Sequence, residues 1–413
     1  MQNFTNFKEF LLKYIIYFFP LFIILGNAVI NFVLFTVSVL YLISCLIEKK
    51  IFFKETYEFR YFLFFYIYLL ANSFFSEDIM ISLQRSVPYI KFFILVLIFK
   101  SLIENRKINL IKLGYIWFAI IFVLGLDIIY QSIYGYDIFN YVSINDARNS
   151  GFFYDELVAG GFLVSFVFIS IFLITIKKRN SFLYLFLIFF LLVVFLTGER
   201  SNLIDYLVIL LLALFFCIKI NLIFKYLSLI FSFGVVIFIV LSFGNFKSRY
   251  LSTISFSQDT NLNLVETYLT SQYGSHSISS FLILKDNLLF GVGNKNFRLS
   301  CNHYKNDVVN FQERISEKRY DYANGCATHP HQIYNELLSE HGIVGLIVIL
   351  FIMYKLILSN LSIKKKCNVN LVCFFYIILF FVPILPSGSF FSTLPSTFFW
   401  INYLFYIVNI KKL

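Results

Sequence analysis

Long apolar runs separated by short polar breaks repeat along the whole chain. They fall near 10–25, 28–47, 59–75, 86–103, 113–133, 157–176, 182–197, 203–218, 226–244, 341–359, 369–386 and 395–410. Each approaches the ~20 residues needed to cross a hydrocarbon layer as a helix. The pattern therefore predicts about twelve transmembrane helices, the first two parted at Gly26-Asn27. No small-residue cleavage site follows the first run, so it is expected to be retained. One polar interval far exceeds the others, from about 245 to 340, between the ninth and tenth runs. The chain thus divides into an N-terminal bundle (1–133), a central membrane segment (134–244), a large loop (245–340) and C-terminal helices (341–413).

Composition agrees with the pattern. Hydrophobic residues make up 59% of the 413 residues and charged residues 14%, with a mean hydropathy of +0.80. That profile belongs to an all-α polytopic membrane protein and excludes an ordinary soluble domain. The net charge of +11 does not indicate nucleic-acid binding, because its distribution is topological. Lys8, Lys13, Lys49, Lys50, Lys54, Arg106, Lys107, Lys112, Lys177, Lys178, Arg179, Lys219, Lys225, Lys364, Lys365, Lys366, Lys411 and Lys412 collect at alternate connections. Those connections are expected to be cytoplasmic, with both termini inside. The short loops opposite carry only Arg85, Arg148 and Arg200 and no lysine, so these three need another explanation.

Candidate chemistry gathers on the outer face. The stretch Thr328-His329-Pro330-His331-Gln332-Ile333-Tyr334-Asn335 runs into Glu340-His341-Gly342-Ile343-Val344-Gly345, holding three of the chain's five histidines at the mouth of a predicted span. Pro330 suits the first position of a helix capped by Thr328 or His329. His331 would then lie in the first turn, sharing a face with Tyr334 and Asn335. A helix N-terminus favours anions and opposes protonation of an imidazole, as a general base in phosphate-leaving chemistry requires. The bland alternative is an interfacial histidine that only hydrogen-bonds the loop. Gly342 and Gly345 would permit close helix approach.

Arg200 lies in the turn Thr197-Gly198-Glu199-Arg200-Ser201-Asn202, Arg148 precedes a span in Arg148-Asn149-Ser150-Gly151-Phe152-Phe153, and Arg249 opens the large loop. Each presents a guanidinium fork suited to phosphate oxygens, and three could converge on one pyrophosphate. An ion pair of Arg200 with Glu199 or Asp205 is the alternative. Cys301 and Cys326 are the two cysteines of the outer face, where a bridge or two free thiols are both open. The Gly291-Val292-Gly293 pair lacks the strand–helix context of a dinucleotide site. Cys301, His303, His329 and His331 match no zinc spacing, so no metal is expected. Lys91 and Asp127, both within predicted spans, are expected to form a structural ion pair.

With these residues in order, the chain resembles the O-antigen ligase and O-antigen polymerase family of bacterial envelope glycosyltransferases. Four segments carry the resemblance, over about 148–358: Arg148-x-x-Gly151-x-Phe153, Thr197-Gly198-Glu199-Arg200-Ser201, Leu289-Phe290-Gly291-Val292-Gly293, and the His329-to-Gly345 stretch. The last is the most specific. The resemblance implies a fold similar to the glycosyltransferase C-type membrane fold, in the bacterial inner membrane, with the large loop and active site periplasmic. It implies a metal-independent inverting transferase with no cofactor. The donor is then a glycan on undecaprenyl pyrophosphate, and the acceptor lipid A–core for a ligase or another lipid-linked glycan for a polymerase. His331 takes the place of the family's base, Arg200 its turn arginine and Arg249 the arginine opening the loop. His329, Gln332 and Asn335 are expected at the substrate. Gln332 stands where the family commonly has Asn, and His276 stands where many members carry a further arginine. Membrane lipids are the other expected partners. The rival from another class is a polysaccharide transporter or flippase, but the polar clusters sit at the outer ends of the spans rather than near the midplane.

Overall fold

The computed structural model describes residues 2–49, 51–54, 56–144, 147–177, 181–218, scattered positions between 223 and 241, 262–315, 325–361, 367–383 and 385–410. Among them no strand forms, only isolated bridges between Tyr136 and Val142 and between Ile144 and Arg148. The protein is all-helical. Four described helices are long and apolar enough to cross a membrane: Asn27–Glu48, Ile79–Glu104 (with a short 3-10 turn at Val87–Tyr89), Leu110–Tyr134 and Ile333–Leu358. Shorter apolar helices include Ala159–Ile174 and Asn368–Phe380. Helices coincide with the expected positions except at 369–386, where the helix stops early, and at 226–244, most of which lies outside the described residues.

Two helices are buried on nearly every face, as expected of elements that are apolar all round. In Ala159–Ile174 only Gly161 escapes burial, and in Thr393–Ile407 only Thr393 and Pro395 do. All three exceptions face cavities described below. Aromatic rings fill the space between helices. Trp400 meets Phe93 at 5.1 Å and Phe62 at 5.4 Å edge-on, and its indole N–H donates to the Tyr89 hydroxyl at 3.1 Å. Such edge contacts add roughly 0.5–1.5 kcal/mol each beyond area burial.

The run expected as one span at 369–386 behaves differently. Its helix is Asn368–Phe380, and the chain then leaves helical geometry because Pro383 and Pro386 cannot donate backbone hydrogen bonds. Lys91 and Asp127 do not pair. The Lys91 ammonium donates to Asn31 Oδ1 at 2.5 Å, and the Asp127 carboxylate accepts the Ile138 amide at 3.1 Å. Each polar group finds a nearer partner, so the expected ion pair does not form.

The helix Ile333–Leu358 is kinked at Gly342, whose φ of 66° and ψ of −168° are open only to glycine. The segment Leu288–Gly293 fills the break. Val292 and Gly293 donate to the carbonyls of Ser339 and Glu340 at 2.9 and 2.8 Å, while Ile343 and Val344 donate to Leu288 and Leu289 at 3.0 and 3.1 Å. The kink thus exchanges its lost helical bonds for bonds to the Gly-x-Gly segment. Gly345, by contrast, does serve close approach, lying against Tyr68 of the helix Tyr57–Ser73. Cys301 and Cys326 are joined by a disulfide with Cα atoms 5.2 Å apart, beside a small core of Ile283, Val292 and Phe297.

Candidate active site

The Thr197–Asn202 turn is built against the Arg148 segment. Gly198 has φ +68°, and a Cβ there would stand 2.1 Å from the Ala147 carbonyl oxygen. Asn149 ties the two segments by donating to the Leu196 carbonyl at 2.6 Å. Glu199 precedes the helix Arg200–Phe216, and its carboxylate accepts the Gly160 amide at 2.8 Å and the Asn202 side-chain amide. Burial raises the Glu199 carboxyl above its usual range, opposed by those bonds and by the nearby Arg148 charge. Neither Glu199 nor Asp205 forms an ion pair with Arg200, and the Nε of Arg148 is buried without a hydrogen bond. Both arginines line one cavity.

The histidine stretch departs from its expected geometry. The helix begins at Ile333, with Gln332 as its cap: the Gln332 side-chain oxygen accepts the Asn335 amide at 2.8 Å. His331 lies before the cap, in the left-handed region at φ 53°. Proline restrains the residue before it and its own φ but not the residue after it, so His331 can turn, and the helix starts at Ile333, three residues past Pro330. His331 therefore shares no helical face with Tyr334 and Asn335. The Tyr334 hydroxyl donates to the Phe381 carbonyl, and the Asn335 side-chain amide donates to Ser277 Oγ at 2.8 Å. Gln332 Nε2 donates to the Pro383 carbonyl at 2.9 Å, and the His331 carbonyl accepts the Ser387 amide at 2.9 Å. Gln332 and Asn335 thus brace the loop and do not border the cavity.

That cavity is about 640 Å³ and brings together Arg148, Arg200, His329 and His331. Its polar lining also includes the acids Glu199 and Asp205 and the neutral Asn202, Tyr273, Ser387 and Ser389. Apolar side chains such as Val164, Ile209, Phe380 and Phe398 line the rest. The rings of His329 and His331 are 4.0 Å apart, and the ring of His276 lies 5.5 Å from His331 without bordering the cavity. Burial, reinforced by the neighbouring imidazoles His329 and His276, pulls His331 down to about 3, against the opposing pull of Glu336. Burial and the Lys295 charge pull His329 down to about 4, and burial also lowers His276. The imidazoles stay neutral because they are buried, rather than through the helix N-terminus. Arg249 lies outside the described residues.

Several contributors were not apparent from sequence. Glu336 accepts the Phe390 amide at 2.8 Å and the Ser389 hydroxyl, and lies 3.7 Å from the Lys295 ammonium, which also donates to Ser389. This network fixes the 387–390 wall beside the histidines. The Pro383–Gly388 run, dense in Pro and Gly, is the signal that could have marked that wall as loop. No cluster of His, Cys, Asp and Glu suited to a metal occurs among the described residues.

Residues 185–350 match the family model described as O-antigen ligase. The match takes in Arg200, His276, the Leu288–Gly293 segment, both bonded cysteines and the histidine stretch, and stops short of Arg148. Comparison with curated proteins gives no match.

Proposed function

We propose, from the match of residues 185–350 to the O-antigen ligase family model, that the chain acts as a member of that family and that the large cavity transfers a glycan from undecaprenyl pyrophosphate to an acceptor sugar. The observation that carries this reading is the convergence of His331, Arg148 and Arg200 on one cavity, with an apolar remainder suited to a prenyl chain. In this reading the acceptor hydroxyl oxygen attacks the anomeric carbon, and the bond from that carbon to the pyrophosphate oxygen breaks with inversion. His331 takes the hydroxyl proton, and Arg200 with Arg148 holds the departing pyrophosphate. Arg249 is proposed as a third member of that clamp. No metal is required, because the guanidinium groups supply the positive charge the leaving group needs.

A base as weak as buried His331 needs strengthening at the moment of reaction. Pyrophosphate supplies it, since a negative charge beside an imidazole favours the imidazolium. Entry of the donor therefore arms the base, and an empty site leaves it neutral.

The chain is proposed to span the bacterial inner membrane about twelve times, with both termini cytoplasmic and the cavity opening to the periplasm. The alternation of basic connections supports this topology. Lipid A–core is the proposed acceptor. Lipopolysaccharide from a deletion strain, separated on a gel, tests the reading. Loss of every glycan-bearing band with the core intact is the expected result. A core carrying a single repeat would reassign the protein as a polymerase of the same family, and an unchanged ladder would remove it from this pathway.

A further inference from the structure

A second cavity of about 410 Å³ lies beside the first, sharing Val158, Ser392 and Pro395 with it as a common wall. Its lining includes three cations, Arg85, Lys295 and Arg298, and a single acid, Glu156. Glu156 is already engaged, accepting the Asn27 side-chain amide at 2.6 Å. Neither Arg85 nor Arg298 forms an ion pair with a described carboxylate. Lys295, in the lining of this second cavity, is held by Ser389, which lines the first, and by Glu336. Arg85 is one of the outer arginines that topology leaves unexplained.

Among the described residues neither guanidinium group has a carboxylate partner, and with the Glu336-paired Lys295 ammonium beside them they outweigh the Glu156 carboxylate, leaving a net positive concavity that favours an anion. Guanidinium forks match the oxygens of a phosphate and take them two at a time. Thr328 and Thr393 add hydroxyl groups to the same lining. Thr328 also lies next to His329, its hydroxyl 3.1 Å from His329 Nδ1, so the cavity ends one residue from the histidine pair.

We infer that this second cavity is an acceptor-side subsite, in which Arg85, Arg298 and Lys295 bind a phosphate group carried on the acceptor glycan. The inference rests on the larger cavity being the donor site. It assigns the anchoring of the acceptor to a charge remote from the reacting hydroxyl. A glycan anchored there extends past Thr328 and Ser392 toward His331.

The test is equilibrium binding to the purified full chain in detergent at low ionic strength, with glucose 6-phosphate as the glycan-phosphate probe and farnesyl pyrophosphate as the lipid-pyrophosphate probe. Arg85→Gln/Arg298→Gln should weaken glucose 6-phosphate binding roughly 10- to 100-fold, the range for losing charge-assisted hydrogen bonds. Its farnesyl pyrophosphate binding should match the wild type, which also shows that the variant is folded. Competition by inorganic phosphate supports the inference, since the cations read the oxyanion. Absence of saturable glucose 6-phosphate binding to the wild type, or equal binding to the variant, overturns it. Loss of farnesyl pyrophosphate binding instead would give the cavity to the donor lipid and overturn the acceptor assignment. His331→Ala should keep glucose 6-phosphate binding while losing transfer, so this inference and the reading of the larger cavity can fail separately.

Discussion

The carbonyl oxygen of Leu289 lies 2.4 Å from the point where a Cβ on Gly342 would project. The same carbonyl receives the Val344 amide at 3.1 Å, so it is bonded into the kink and has no room to withdraw. The two glycine-containing motifs are therefore two halves of one joint. That joint sets the direction in which the Ile333–Gly342 half-helix carries Glu336 toward Ser389 and Phe390.

Gly342→Ala should consequently be severe. It meets backbone on one side and imposes a strained conformation as well, so a loss of at least about 2–3 kcal/mol is expected, enough to reduce the yield of folded protein. Gly135→Ala is the control. Gly135 also has a positive φ, +81°, but nothing lies within 4 Å of an added Cβ, so its cost should be only about 1–2 kcal/mol. The comparison is read from apparent melting temperatures in detergent. Equal shifts for the two variants would mean that Leu288–Gly293 can move aside and does not clamp the kink.

The Cys301–Cys326 bond closes a separation of 25 residues around the small core of Ile283, Val292 and Phe297. Loop-closure entropy for that length corresponds to about 3–4 kcal/mol. Cys301→Ser/Cys326→Ser should melt earlier than the wild type, and reductant should lower the wild type toward the variant without affecting the variant. A wild type indifferent to reductant would show that the bond is absent or contributes nothing.

His331 and His329 are held down to about 3 and about 4, whereas unfolded histidines titrate near 6.5. Between roughly pH 6.5 and pH 3 the unfolded chain binds protons that the folded chain refuses, so stability falls as pH drops through that window. The melting temperature should decline on acidification below about pH 6.5, and less steeply in His329→Gln/His331→Asn. A decline of the same slope in both proteins would place these rings in contact with solvent.

A general base typically contributes ~10²–10⁴-fold to rate, and His331→Ala should lose transfer by about that factor while remaining folded and membrane-inserted. For the free enzyme, kcat/KM should show no histidine limb near pH 6.5, because the base is already neutral far below it. Near-normal transfer by His331→Ala in purified form would remove His331 from the chemistry.

The helical class and most element positions were legible in the sequence because apolar runs of membrane length have few alternatives. The joint between Leu289 and Gly342 was not, since a glycine signals an unusual backbone or a close approach without naming its partner. The helix start was misplaced because Pro330 fits a first helical position and a turn equally well, and only the Gln332 side chain decides between them. Pro383 and Pro386 lay inside an apolar run, so hydropathy concealed the loop that holds Ser387 and Ser389 beside the histidines. That Arg148, Arg200 and His331 share one cavity could be suggested from their outer positions but not placed, because residues so distant in sequence meet only through packing of the helices between them.

Arg200 offers the sharpest separation of charge from shape. It starts the helix Arg200–Phe216, borders the cavity with Arg148 and His331, and forms no ion pair with Glu199 or Asp205, whose carboxylates were the obvious structural partners. Its fork therefore remains available for two oxygens of a pyrophosphate. Arg200→Lys keeps the charge at a similar reach but removes the paired N–H groups and the planar geometry. Loss of one charge-assisted hydrogen bond is worth about 1.5–3 kcal/mol, so transfer should fall roughly 10- to 100-fold while the protein stays folded. Turnover of a lipid-linked donor by the purified protein checks this, with Arg148→Lys measured alongside. Activity within experimental error of wild type in Arg200→Lys would mean that charge alone suffices at this position and that the bidentate clamp lies elsewhere.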